Sequence, residues 1–254
     1  MAEPSTERRE GVLVARGLDA GYDGVAVVHG LDLVVDAGEV VALLGANGAG
    51  KSTTLLTVAG LLPPIAGTLL VLDEVVHDEG GRGRHVRRSA LTRTWKRARR
   101  GVALVPEDRG LFPGLTVREH LRLVPTRRAD APDPFELFPP LAPLRDRRAG
   151  LLSGGEQQML ALARALATAP RLLMVDEMSL GLAPIIVERL LPMLRDAARR
   201  TGTGVLLVEQ HVAMALEVAD RATVLARGVA VASGTAAELA NRRDLLEASY
   251  LGGT

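Results

Sequence analysis

Residues 45–52 read Gly-Ala-Asn-Gly-Ala-Gly-Lys-Ser, the order G-x-x-x-x-G-K-[ST] that suits a polyphosphate. Gly45, Gly48 and Gly50 allow the backbone, with Asn47 and Ala49 between them, to curl so that successive N–H groups turn inward. A helix starting at once adds its positive N-terminal end, with Lys51, Ser52 and Thr53 in its first turn. Lys51 is expected to reach the terminal phosphates, and Ser52 to give its hydroxyl oxygen to Mg2+, a small hard cation satisfied by oxygen ligands. A sequence of this composition matches the pattern by chance in roughly two cases per thousand, so an ordinary glycine turn is a poor alternative. Further on, residues 172–177 read Leu-Leu-Met-Val-Asp-Glu, an apolar run ending in two carboxylates. Alone, such a run is as often a strand meeting a polar loop. Together with the glycine loop it places Asp176 at the carboxyl edge of a sheet, suited to hold Mg2+ directly or through water. Glu177, one residue further, points elsewhere and could polarise an attacking water, because phosphoryl transfer depends on positioning and charge stabilisation.

These residues need a frame. Residues 31–35 and 40–44 predict strands, residues 51–59 a helix closed by Gly60, and residues 102–105 another strand. The unbroken apolar runs 172–175 and 205–208 have the character of strands buried on both sheet faces, with a helix from about 184 to 200 between them. The pattern is α/β and doubly wound. One domain is expected over 1–254: a first part of the core at 12–111, an inserted helical subdomain at 112–168, and a second part with C-terminal helices at 169–254. The insertion is suggested by Pro125, Pro132, Pro134, Pro139, Pro140 and Pro143 and by the helix-start pattern Thr116-x-x-Glu119.

Composition bounds the rest. A net charge of +1 over 254 residues gives no global field, and no nucleic-acid partner is expected. With no cysteine, disulfides, thiolate metal sites and cysteine nucleophiles are excluded, in keeping with a reducing cytoplasm. The polar first ten residues and the lack of any apolar run of about 18 residues predict neither signal peptide nor membrane span. Arg82, Arg84, Arg87, Arg88, Arg93, Arg97, Arg99 and Arg100 could contact phosphates or anionic headgroups, but such a charge run reads first as a solvated loop and helix face.

A third segment, Leu152-Ser153-Gly154-Gly155-Glu156-Gln157-Gln158, opens a helix with the capping box Ser153-x-x-Glu156, and its glycines make the same end an anion site. With it the chain, from about residue 12 to 253, resembles the ATPases of ABC transporters. The resemblance implies a phosphate-loop NTPase core, its mostly parallel sheet flanked by helices, with an N-terminal antiparallel β part and the inserted helical subdomain. It implies that Ser153, Gly154, Gly155 and Glu156 reach the γ-phosphate held by a second ATPase subunit, homo- or heteromeric, so that two domains sandwich two ATP molecules. Tyr22 matches the aromatic that stacks on adenine, although a lone tyrosine could equally pack. Asp220 matches a structural aspartate. Where the family's inter-subdomain loop begins with glutamine, this chain has Glu107, which could still coordinate metal-bound water if Mg2+ screens its charge. Ala183 stands where an aspartate is common. Gln210 occupies the switch position of a histidine; its amide can donate to phosphate but takes up no proton at neutral pH, and His211 is expected at the surface or as a helix cap.

Val105-Pro-Glu107, Ser179-Leu-Gly-Leu-Ala-Pro184, Val208-Glu-Gln210 and Tyr250-Leu-Gly-Gly253 are similar to the ATPases of branched-chain amino acid importers. The resemblance implies a Mg2+-dependent ATPase driving uptake of branched-chain or other hydrophobic amino acids or related small solutes. Catalysis would rest on Glu177, Lys51 and Gln210, with Ser52, Asp176 and Glu107 around the metal. Its partners would be a second ATPase subunit, two membrane permease subunits and an extracytoplasmic solute-binding protein, placing the chain on the cytoplasmic face of the cell membrane. The alternatives are a soluble regulatory or nucleic-acid-linked ATPase without a membrane partner, and a binding-only subunit paired with an active sister chain.

Overall fold

Asp23 and Gly24 both take left-handed φ values, 51° and 83°, which gives a tight turn the twist that two antiparallel strands require. Across it pair β1 (Leu13–Tyr22) and β2 (Val25–Val35), in a computed structural model that describes residues 11–78, 90–124 and 131–242. The expected strand at 31–35 is the second half of β2. β3 (Val40–Gly45) is buried throughout and runs into the glycine loop and α1 (Lys51–Ala59). Gly60 ends α1 in the left-handed region, its N–H bonded to Leu56 and Thr57 carbonyls. β4 (Pro64–Val71) and β5 (Glu74–Asp78) return to the first sheet, which is antiparallel in the order β2-β1-β4-β5.

α2 (Ala90–Arg100) leads into β6 (Val102–Val105). The helical insertion follows with α3 (Val117–Arg122), α4 (Pro134–Leu137), two 3-10 turns at Pro139–Leu144 and Ala149–Leu151, and α5 (Gly154–Leu166). Its prolines remove backbone donors and keep the first helices short, while capping boxes formed by Thr116 with Glu119 and Ser153 with Glu156 start α3 and α5. The core then resumes with β7 (Leu172–Asp176), α6 (Pro184–Thr201), β8 (Gly204–Glu209), α7 (Val212–Val218), β9 (Arg221–Ala226), β10 (Val229–Thr235) and α8 (Ala236–Ala240).

The second sheet has the order β10-β9-β3-β8-β7-β6, parallel except for β10. Successive side chains point to opposite faces, so its apolar runs feed two cores. Ala42, Leu44, Leu173, Val175 and Leu207 pack with α5, α6 and the helical insertion; Val41, Leu43, Met174, Leu206 and Val208 pack with α1 and the antiparallel sheet. Asp220 ties the start of β9 to β3 and α6: its carboxylate accepts from the Val40 N–H at 2.9 Å and from Arg199 at 3.1 Å.

One expectation is overturned. Arg97, assigned to a solvated face, is 4% exposed and donates to the Thr57 carbonyl at 2.6 Å and to that of Val58. The last carbonyls of α1 carry its negative end, and although the Gly60 N–H already reaches that of Thr57, each carbonyl oxygen can accept a further bond, which is what draws a buried guanidinium there. Arg99, over the exposed Trp95 ring at 4.7 Å, and Arg100, paired with Glu74 at 2.7 Å, do lie at the surface. Arg82, Arg84, Arg87, Arg88, the side chain of Arg93, Pro125 and the segment Tyr250 to Gly253 lie outside the described residues. Among the described residues, no helix is long and apolar enough to cross a membrane.

Candidate functional site

The glycine loop closes at the carboxyl end of β3, and its shape is set by steric necessity. A Cβ on Gly45 would meet the Leu225 carbonyl oxygen at 2.6 Å, and one on Gly50 would meet Val28 at 2.6 Å, while Gly48 and Gly50 take φ values of 79° and 104°. Asn47 and Gly48 are exposed and Ala49 is buried. Ser52 is exposed on the first turn of α1, whereas Thr53 is buried, leaving the Ser52 hydroxyl as the open oxygen. Lys51 is 3% exposed; its ammonium donates to the carbonyls of Gly45 at 2.8 Å and Ala46 at 3.1 Å and lies 3.5 Å from Glu177 Oε1.

Asp176 ends β7 at the same sheet edge, and Glu177 follows it. Glu177 is left-handed, with φ 44°; its N–H donates to the Val208 carbonyl at 2.9 Å and its Oε2 accepts from Gln210 Nε2 at 2.7 Å. Thus Lys51 and Gln210, 159 positions apart (210 − 51), meet on the one Glu177 carboxylate, Lys51 as an ion pair and Gln210 as a hydrogen-bond donor. Burial pushes the Asp176 carboxyl up to about 6; Glu177 and Glu107 push the same way and Lys51 opposes them. Asp176 Oδ1 is buried without a hydrogen-bond partner, which is the condition a cation relieves. Among the described residues, no group of three His, Asp or Glu side chains could hold a metal unaided. Asp176, with the open hydroxyl of Ser52, fits Mg2+ of the kind that completes its shell with water and phosphate oxygens.

Around these groups stand residues that the motifs did not reveal. Glu209, 2% exposed, accepts from Ser179 through both backbone N–H, at 3.0 Å, and Oγ, at 2.6 Å. Burial raises its carboxyl above the ordinary value, and the Ser179 bonds work against that rise. Exposed Glu107 sits in the loop after β6, which is fastened to α5: Arg109 donates to Gln157 at 2.9 Å and Gln158 at 3.1 Å, and Arg164 donates to the Gly110 carbonyl at 2.6 Å. No local pattern marks these partners; the one available signal was an arginine beside Glu107 and another on the apolar helix α5.

Ser153 is exposed at the N-cap of α5, and its N–H donates to Glu156 at 2.7 Å. The two glycines also have a packing role: a Cβ on Gly155 would meet Ile186 at 2.4 Å, and one on Gly154 would meet Leu182 at 2.9 Å. Tyr22 is 46% exposed at the end of β1, which excludes a core-packing role. His211 is exposed at the N-cap of α7, without a capping hydrogen bond from its side chain. Ala183 is the uncapped N-cap residue of α6.

Residues 28–179 match the profile of the ABC transporter family. Over 238 residues the chain is 40% identical to the high-affinity branched-chain amino acid transport ATP-binding protein BraG of Pseudomonas aeruginosa, covering 91% of this chain and 96% of that one. It is 35% identical to the lipopolysaccharide export system ATP-binding protein LptB of Escherichia coli, over 89% of this chain and 92% of that one. Among solved structures, an ATP-binding subunit of an ABC transporter superposes with a TM-score of 0.72 at 29% identity, covering 94% of this chain and 98% of that one.

Proposed function

The chain belongs to the ABC transporter family as an ATP-binding subunit, and from that premise we propose that it is a Mg2+-dependent ATPase energising uptake of branched-chain amino acids or related small apolar solutes. Subunits of this family bind and hydrolyse ATP and work as dimers on membrane permease subunits. The cargo reading rests on the 40% identity to BraG along nearly its whole length.

The observation that carries the hydrolytic reading is Glu177 held between Gln210 and Lys51, beside the unpartnered oxygen of Asp176. A terminal phosphate in the glycine loop would compete with the carbonyls and Glu177 for the Lys51 ammonium. Glu177, released on that side, is left to polarise water, and the Gln210 amide can donate to either Glu177 or phosphate. Mg2+, when bound, would neutralise phosphate charge, with Ser52 and Asp176 as ligands and Glu107 contacting it through water. Tyr22 offers an open ring face to adenine, and Ser153 with Gly154, Gly155 and Glu156 serves the ATP of the second subunit.

In the cell the chain would sit on the cytoplasmic side of two permease subunits, served by a solute-binding protein outside. Tagged Glu177→Gln chain, purified with ATP from detergent-solubilised membranes, should bring down two permease proteins. In proteoliposomes with the parent chain, ATP turnover should rise with a leucine-loaded binding protein and stop with EDTA. Recovery from the soluble fraction alone would remove the transport reading, and permeases stimulated by a lipopolysaccharide-like lipid instead of an amino acid would move the cargo toward that of LptB.

A further inference from the structure

Glu209 is the buried carboxylate for which nucleotide chemistry supplies no use. A charged group at a strand end could face water at no cost, and burying it is favourable only where strong local bonds replace its hydration. Here both carboxylate oxygens accept from Ser179, itself 6% exposed, and the backbone N–H of Gln210 adds a further bond. Ser179 lies two positions beyond Glu177, and Met178 between them is 1% exposed in the core. The neighbours of Glu209 take hold of the same turn: the Val208 carbonyl accepts the Glu177 N–H at 2.9 Å, and Gln210 donates to the Glu177 side chain at 2.7 Å. Three consecutive residues at the end of β8 therefore grip residues 177 and 179.

That grip has something to resist. Glu177 is a non-glycine residue in the left-handed region, φ 44°, a conformation that persists only where its surroundings over-determine it. Beyond the turn, Leu180 and Gly181 are exposed, and the bonds there are the turn's own, Leu180 N–H to the Glu177 carbonyl and Leu182 N–H to the Ser179 carbonyl, each at 3.1 Å, so the hydrogen bonds that tie residues 177 and 179 to the sheet come from the end of β8. We propose that Glu209 is a positioning residue for hydrolysis, its buried carboxylate holding Ser179 and so fixing the turn that presents Glu177. The proposal rests on the assignment of Glu177 as the group that polarises water.

The test compares Glu209→Ala, Glu209→Gln and Ser179→Ala with Glu177→Gln in the full chain, measuring kcat, KM and ATP affinity. Glu209→Ala should lower kcat about 10- to 100-fold, the scale of an ångström-level misplacement, with ATP Kd within about twofold of the parent. Glu209→Gln, whose amide can accept from the Ser179 N–H and donate to its Oγ, should restore kcat to within about threefold of the parent. Ser179→Ala removes only the hydroxyl bond and should cost about threefold or more; it decides the matter if Glu209→Ala does not fold. In the Glu177→Gln background, Glu209→Ala should reduce the residual rate no further. Two results would overturn the role: kcat within about twofold of the parent in both alanine variants while Glu177→Gln is inactive, or loss of kcat matched by equal loss of ATP affinity. Full turnover by Glu177→Gln would instead reject the assignment on which the proposal stands.

Discussion

Ionising Asp176 sets a negative charge beside Glu177 and Glu107, with Glu209 further off and only Lys51 opposing. Its carboxyl titrates at about 6, above the ordinary 3.8, so between those pH values the folded chain keeps a proton that the unfolded chain releases. The sign follows: folding is penalised progressively as pH rises through that window, and the penalty is complete above about 6. Asp176→Asn removes the charge and should raise the Tm of the nucleotide-free chain at pH 7.5, with a gain that shrinks towards zero by pH 4. Water still reaches part of this carboxylate, so a gain of about 1 kcal/mol is expected, which is about 2–4 °C for a chain of this size. Scanning calorimetry at the two pH values checks it; an equal gain at both would mean that shape, not charge, is responsible. With Asp176 as the proposed cation ligand, the same substitution should abolish Mg2+-dependent turnover, a loss of function traded against a gain in stability.

At the scale of elements, what local pattern could announce and what it could not separate cleanly. The glycine loop, the buried strands β3, β7 and β8, the end of α1 at Gly60 and the capping boxes of α3 and α5 all follow from residues a few positions apart. The turn Asp23-Gly24 carried an equally local signal for the β1–β2 hairpin, but irregular pairing at Gly17 and Gly21 breaks the alternation that marks strands. Arg97 could not be read, because its acceptors lie 39 and 40 positions away and an arginine among arginines looks solvated. Arg97→Ala, which strips α1 of its buried cap, should cost about 1.5–3 kcal/mol in urea unfolding. Arg99→Ala on the exposed face should stay within about 0.5 kcal/mol, and equal costs would refute the capping role. Helix α6 offers the converse case. Ala183 gives its first amides no side-chain cap, although Pro184 has no N–H and that of Ile186 already reaches the Ala183 carbonyl at 2.9 Å, so Ala183→Asp should add about 0.5–1 kcal/mol. An unchanged urea midpoint would show those amides to be satisfied already.

At the scale of the molecule, the helical insertion shares its buried side chains with β7 and α6, and Arg109 and Arg164 fasten the Glu107 loop to α5. The residues proposed for one nucleotide and those proposed for its partner's nucleotide are thereby carried on one continuous packed body, which is a physical basis for coupling two sites across a dimer. The surface near them is unusually apolar for a solvated face: Leu151, two residues before Ser153, is 64% exposed, Leu180 beyond the Glu177 turn 46%, and Ile185 on α6 53%. Exposed side chains of this size near polar site residues are what a second subunit would cover. Glu177→Gln chain should therefore run as a monomer without nucleotide and as a dimer with ATP and Mg2+ in light scattering, because it binds ATP without clearing it. Adding Leu180→Asp should leave ATP affinity within about twofold while preventing the dimer, since a charge placed in the covered surface is desolvated only on association. A dimer that forms undiminished with Leu180→Asp would place the contact elsewhere. A Glu177→Gln chain that binds ATP yet stays monomeric would instead require a different ATPase chain as its partner.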